Sequence, residues 1–211
     1  MTLTLTARDL DLIETLTCRV RLLTVGQAAD MCWPHCVGRR TAIHRLRQLA
    51  KSDWLELHTV NAHPLLPVGK PLFMWQPEGP APDVELVSQE LRGRWSQPAR
   101  ATQVCVASSR AACLLGSTAR GLPPREHRDH DLRLAAVYLH YRTSRPRLAA
   151  SWMGEHALAK AGYRIKDPDA FLRDSAGRIV RVIESAGRYS ARQVESFHEH
   201  CRENNLSYEL W

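Results

Sequence analysis

No apolar run in this sequence approaches the about 20 residues that a bilayer-spanning helix requires. The opening residues, MTLTLTARDL, lack the basic-then-apolar pattern of a secretory signal. These absences lead to the expectation of a cytoplasmic protein. Its cysteines, Cys18, Cys32, Cys36, Cys105, Cys113 and Cys201, are then expected as thiols. None stands in a CxxC pair, so a zinc-ribbon or dithiol motif is excluded. Neither GxxxxGK followed by Ser or Thr, nor GxGxxG, occurs, so phosphate-cradling loops of those types are excluded as well. No Ser or Cys comes with a base and an orienting partner that would make a catalytic triad. Internal repeats and long low-complexity stretches are also absent.

Acid is in short supply. The 211 residues carry 29 Lys and Arg against 22 Asp and Glu, a formal net charge of +7. The balance favours a polyanionic partner without saying which one. A hydrophobic fraction of 44% fits a folded chain rather than a disordered one. The length allows one large domain or two small ones.

The sharpest change in composition is QPEGPAPD, residues 76–83, whose prolines and glycine suit a linker. It predicts two domains, 1–78 and 84–211. A second polar, Pro-rich stretch at 118–129 reads as a surface loop.

The first domain reads as three helices and a two-stranded wing. Thr6 caps the first helix, with Asp9 as a partial capping box, and Leu10, Ile13, Leu16 and Val20 form its apolar stripe. Thr24 caps a short helix over 25–31, which Trp33-Pro34 ends. The third helix spans 39–51, with Ala42, Leu46, Leu49 and Ala50 inward. A strand over 54–60 is expected to pair with 70–75, KPLFMW, across the loop NAHPLLPVG.

From Val37 to Lys51 there are five Lys or Arg and no acid. Arg39, Arg40, Thr41, His44 and Arg47 fall away from the apolar stripe. A helix of this kind fits a DNA major groove, where Arg makes bidentate contacts to guanine. Arg45 and Lys51 suit phosphate contacts, which give affinity and salt dependence. The plainer reading is a solvated basic face. RNA is the other polyanion, but the domain has no paired exposed aromatics of the sort that stack single-stranded bases.

The second domain is expected to hold a helix over 84–95, a buried strand over 102–107, a short helix over 109–115 and an amphipathic helix over 131–141. Next come a helix over 152–161, a short strand over 163–165, strands over 170–173 and 179–184, a helix over 190–204 and a strand over 207–211. The last six make the order α-β-β-β-α-β. Gly187 permits a bend, Ser190 caps the last helix, and Trp211 seals the last strand. Asp169 begins one strand and Glu184 ends the next, so an antiparallel pair sets them side by side. Two carboxylates there can hold a divalent cation such as Mg²⁺, with Glu155 as a third acid.

The stretches from Leu5 to Met31 and from Arg39 to Leu57 resemble the winged-helix half of the replication-relaxation family. The resemblance rests on Leu5-Thr6 with Asp9, Leu23-Thr24, and Arg39-Arg40-Thr41 with Leu46 and Leu49. It continues more faintly through His130-Asp131-Leu132, Pro168-Asp169-Ala170 and Ile183-Glu184. It implies an α+β protein: an N-terminal winged helix-turn-helix and an α/β domain resembling the restriction-endonuclease-like fold. It further implies a DNA-binding protein of a plasmid or mobile element, acting in replication control, mobilisation or transcription, with no cofactor needed for binding DNA. A single basic helix reads only a few base pairs, so a homodimer is expected.

The endonuclease-like fold pairs its two acids with a lysine two residues after the second. Here Ala186 stands at that place, and the neighbouring cations are Arg188, Lys160 and Lys166. Three readings follow: a scaffold whose acids are remnants, a metal-dependent nuclease with a relocated lysine, or ordinary acids at strand ends. An assembly subunit that brings a partner to DNA is a further alternative. Zinc is weakly suggested by Cys32, His35 and Cys36, and by His198 with Cys201, but neither set has enough ligands. His127 and His130 flank Asp129 and Asp131 at a solvated loop end.

Overall fold

A computed structural model describes residues 3–34, 39–93, 97–117, 121–157 and 168–211. Its first helix, α1 (Ala7–Glu14), is set by Thr6 and Asp9, which close a full capping box. The helix loosens into a π-helical turn over Thr15–Arg19. Leu12, Ile13, Leu16 and Val20 are buried, whereas Leu10, expected on the stripe, is 52% exposed. Strand β1 (Leu22–Thr24) leads into α2 (Val25–Cys32), where Thr24 and Gln27 form a second capping box. Helix α3 (Arg39–Lys51) buries Ala42, Leu46 and Leu49.

Strand β2 (Leu55–Ala62) follows α3 as expected, but its partner does not. It pairs residue for residue with β4 (Arg100–Ala107), from Leu55 opposite Ala107 to Ala62 opposite Arg100. Strand β3 (Phe73–Trp75), the partner expected from the sequence, joins another sheet instead. Length decides between them. An eight-residue strand satisfies its backbone groups on an eight-residue partner, which the three residues of β3 cannot supply. The first sheet therefore runs β1-β4-β2, all antiparallel.

Helices α4 (Val84–Gly93) and α5 (Ser109–Leu114) flank β4 in the chain. The long helix α6 (Arg128–Ser144) and the short α7 (Pro146–Ala150) come next. The helix expected over 152–161 begins instead as β5 (Trp152–Gly154), followed by one 3₁₀ turn, Glu155–Ala157. Trp152 and Gly154 are buried, and β5 pairs with β6 (Ala170–Arg173); alternate burial on a strand outweighs the helical spacing. The strand expected over 163–165 lies outside the described residues. Strand β6 turns at Asp174 and Gly177, whose φ of 79° suits glycine, into β7 (Ile179–Glu184). Helix α8 (Ala191–Glu203) then crosses to β8 (Tyr208–Leu210), which lies parallel to β7. The second sheet runs β3-β8-β7-β6-β5, with β7–β8 as its parallel pair. Gly187 has a φ of 52° and Ser190 caps α8, both as expected.

Strand pairing thus crosses the 76–83 stretch in both directions. Strand β4, from after it, completes the first sheet, and β3, from before it, edges the second. Helix α6 joins the two halves. Its Leu132 packs with Leu22, Val60 and Val104 of the first sheet. Its Tyr138 and Tyr141 lie in one core with Leu12, Leu46, Trp152, Ile183 and Trp211. A second core, with Trp75, Leu91, Val182, Phe197 and Leu210, lies between the second sheet and helices α4 and α8.

Candidate functional site: the basic helix and the carboxylate pair

Helix α3 carries two kinds of arginine. Arg39, Arg40, Thr41, His44, Arg47 and Lys51 are exposed, on the side away from Ala42, Leu46 and Leu49. Arg39 makes only a loose pair with Asp30 at 3.9 Å, both mostly in solvent, and such pairs contribute little. His44 bonds Gln48 at 3.0 Å. Arg47 lines a groove between α3 and the β2–β4 pair, together with Ile43, Leu57, Thr59 and Gln103.

Arg45, expected to face phosphate, is turned inward. Its Nε donates to Asp9 Oδ1 at 3.1 Å, and its Nη2 donates to Asp9 Oδ2 at 2.6 Å and to Thr4 O at 2.8 Å. Asp9 is fully buried. Burial alone would raise its pKa, but the bonds from Arg45 and Thr6 outweigh it and hold the carboxyl below its usual value. One acid thus caps α1 and anchors α3 through Arg45. The capping role of Asp9 was readable three residues from Thr6; its pairing 36 positions away had no local signal.

The second set of residues lies where β6 and β7 begin and end. Asp169 and Glu184 are both buried, and the pairing of Ala170 with Ile183 sets them next to each other. Each is occupied by protein donors. Asp169 Oδ2 accepts from the Ser185 N–H at 2.7 Å and from His130 Nε2 at 2.9 Å. Glu184 accepts from the Tyr189 hydroxyl and from the Asp169 N–H at 3.4 Å. His130 also bonds Asp131 through Nδ1 at 3.1 Å. Burial would lower the His130 pKa, but the carboxylates of Asp169 and Asp131 outweigh it and push it up to about 10. The third acid, Glu155, is exposed, and its backbone N–H donates to the Asp169 carbonyl at 3.0 Å.

A Mg²⁺ ion at these acids would compete with the protein donors they already hold. A hard cation needs open carboxylate oxygens in an octahedral array. Here one acid is held by an imidazolium and the other, with no exposed surface, by a phenol. Among the described residues no group of three or more His, Cys, Asp or Glu is placed to hold a metal. Ala186, at the lysine position, is itself core, packed with Val182 and Tyr189. Arg188 is exposed, and Lys160 and Lys166 lie outside the described residues.

The weaker motifs resolve similarly. His35 and Cys36 lie outside the described residues. Cys32 is buried, and burial with Asp11 nearby pushes its thiol up to about 12. His198 bonds the Tyr208 hydroxyl at 3.0 Å and meets Trp75 edge-on, while Cys201 is core. His63, not singled out in the sequence, clamps Asp129 at 2.7 Å. Another buried acid, Glu209, was also missed. It accepts from the Tyr141 hydroxyl at 2.6 Å, Trp211 Nε1 at 2.9 Å and Arg181 Nη1 at 2.8 Å. Nothing in the tetrapeptide YELW marks its glutamate as buried.

Set against protein-family models, curated proteins and solved structures, the chain matches none. No helix among the described residues is long and apolar enough to cross a membrane.

Proposed function

We propose that the chain binds double-stranded DNA through α3, as a winged helix-turn-helix protein. The observation that carries this reading is the division of α3 into two faces. One is locked to the body by Leu46, Leu49 and the Arg45–Asp9 pair. The other presents Arg39, Arg40, His44, Arg47 and Lys51 to solvent. The element order α1-β1-α2-α3-β2-β4 and the sheet order β1-β4-β2 support it, because a winged helix closes its sheet in that way. Strands β2 and β4 are the wing, and residues 63–99 are an insertion at its tip. A rigidly held helix with free cations is what major-groove reading requires.

The second half reads as a restriction-endonuclease-like scaffold with its chemistry lost. Helix α6, the antiparallel β5-β6-β7, the α8 crossover and the parallel β8 support the fold. The engagement of Asp169 by His130 and Ser185, that of Glu184 by Tyr189, and the core alanine at position 186 support the loss. A role for a plasmid or mobile element in replication control, mobilisation or transcription rests on the family resemblance, and a homodimer on the short reach of one helix.

Fluorescence anisotropy on a selected duplex and on random duplexes tests this reading. The expected result is preference for the selected duplex, with R39A and R40A reducing the preference and K51A weakening all duplexes alike. Equal affinity of the native protein for both would end the sequence-specific reading.

A further inference from the structure

Side-chain hydrogen bonds at the middle of α3 form a chain from the buried Asp9 to the exposed face. Arg45 donates to Asp9 through Nε and Nη2 and, through Nη1, to the side-chain oxygen of Gln48 at 3.1 Å. A guanidinium carries donors only, so the Gln48 amide has one orientation: its oxygen faces Arg45 and its nitrogen faces away. That nitrogen lies 3.0 Å from Nε2 of His44, one turn back along the helix. An amide nitrogen only donates. The His44 ring therefore accepts at Nε2, and its proton sits on Nδ1. Among the described residues Nδ1 has no partner. His44 is exposed and lies between Arg40 and Arg47 on the same face of the helix.

An imidazole free in water favours the proton on Nε2, and a hydrogen bond at one nitrogen overrides that preference at the other. Gln48 thus turns an exposed histidine into a donor of fixed direction. In the major groove, guanine N7 and O6, adenine N7 and thymine O4 accept, whereas cytosine offers an amino group. The charge of the arginines draws in a duplex whatever its sequence; a single donor of fixed direction distinguishes bases.

We infer that His44 is a specificity-determining residue, its Nδ1–H reading an acceptor on a base edge and rejecting cytosine, and that Gln48 is the positioning residue that fixes this tautomer. The inference rests on the DNA-binding reading of α3.

Its test has two halves. The first is nitrogen NMR of the His44 ring in the full chain without DNA, at about pH 8, where an ordinary imidazole is uncharged. The Nδ1–H tautomer is expected in the native protein. The Nε2–H tautomer is expected in Q48A, which lacks the donor, and in Q48E, which offers an acceptor in its place. The second half is duplex-binding anisotropy on the selected duplex, changed one base pair at a time. One change to cytosine is expected to weaken the native chain by about fivefold, the worth of one hydrogen bond, and to leave Q48A almost unaffected. An Nε2–H tautomer in the native protein would overturn the proposal, whether or not the chain binds DNA. The Nδ1–H tautomer, with every cytosine penalty undiminished in Q48A, would overturn the base-reading role. Equal binding of selected and random duplexes by a native chain carrying the Nδ1–H tautomer would instead fail the sequence-specific DNA reading, and the base-reading role with it.

Discussion

Arg45 and Arg47 stand two positions apart on one helix and have opposite tasks. Arg45 is bonded to a fully buried acid, so R45A leaves Asp9 without its charge partner. Loss of one member of such a pair costs about 3 kcal/mol. R47A, at an exposed position, is expected to change stability by less than about 0.5 kcal/mol. Urea denaturation of the two variants checks this, and equal midpoints would contradict it. The sign with pH follows from Asp9. Its folded pKa lies below the usual 3.8, so its contribution is present above that value and is lost as the pH falls through the folded pKa.

His130 has the opposite sign. Its pKa is raised from 6.5 to about 10, so its contribution is complete below 6.5 and is lost as the pH climbs towards 10. Ring NMR signals of His130 are expected to show the imidazolium through neutral pH, and titration near 6.5 would contradict the network with Asp131 and Asp169. Ala186 gives a third prediction at this scale. A186K puts an ammonium among Val182, Tyr189 and the other side chains of the second core, at a site with no exposed surface. It is expected to lose about 3 kcal/mol or more of stability and to give no DNA cleavage with Mg²⁺ or Mn²⁺. A stable A186K protein that cuts DNA would show that the acids are not remnants.

At the scale of elements, much was legible. Capping residues Thr6, Thr24 and Ser190 each begin a helix as their spacing predicts, and Trp33-Pro34 marks the end of α2. The span of α3 was plain from its apolar period. Strand partners were not, because a strand's sequence records which face it buries and not which strand it meets. KPLFMW has the right alternation for the wing, yet β4, some forty residues farther along the chain from β2, has the right length. The stretch after Ala150 misled for another reason: Trp152 and Met153 fit a helix as well as a strand over so short a run. The adjacency of Asp169 and Glu184 was legible from the hairpin. Their occupation by His130 and Tyr189 was not, since the His130 contact spans 39 positions.

For the whole molecule the shared core matters most. Proline-rich composition at 76–83 suggests separable halves, but β2 takes its partner from beyond that stretch, and α6 fills both sides. A fragment ending at residue 78 leaves the eight-residue β2 unpaired and Leu12, Leu16 and Leu46 without Tyr138 and Tyr141. It is expected to be unfolded by circular dichroism. The intact chain is expected to melt in one calorimetric transition. Two separate transitions, or a folded fragment, would contradict a common core.

The central claim is that the outer face of α3 meets duplex DNA. Its most direct test compares the native chain with the R39A/R40A/R47A variant, matched in melting temperature, by duplex-binding anisotropy at about 0.1 M salt. The account predicts an affinity loss on the order of a hundredfold and a shallower salt dependence, because about three phosphate or base contacts disappear. Unchanged affinity and an unchanged salt slope would place the nucleic-acid surface elsewhere, or nowhere on this protein.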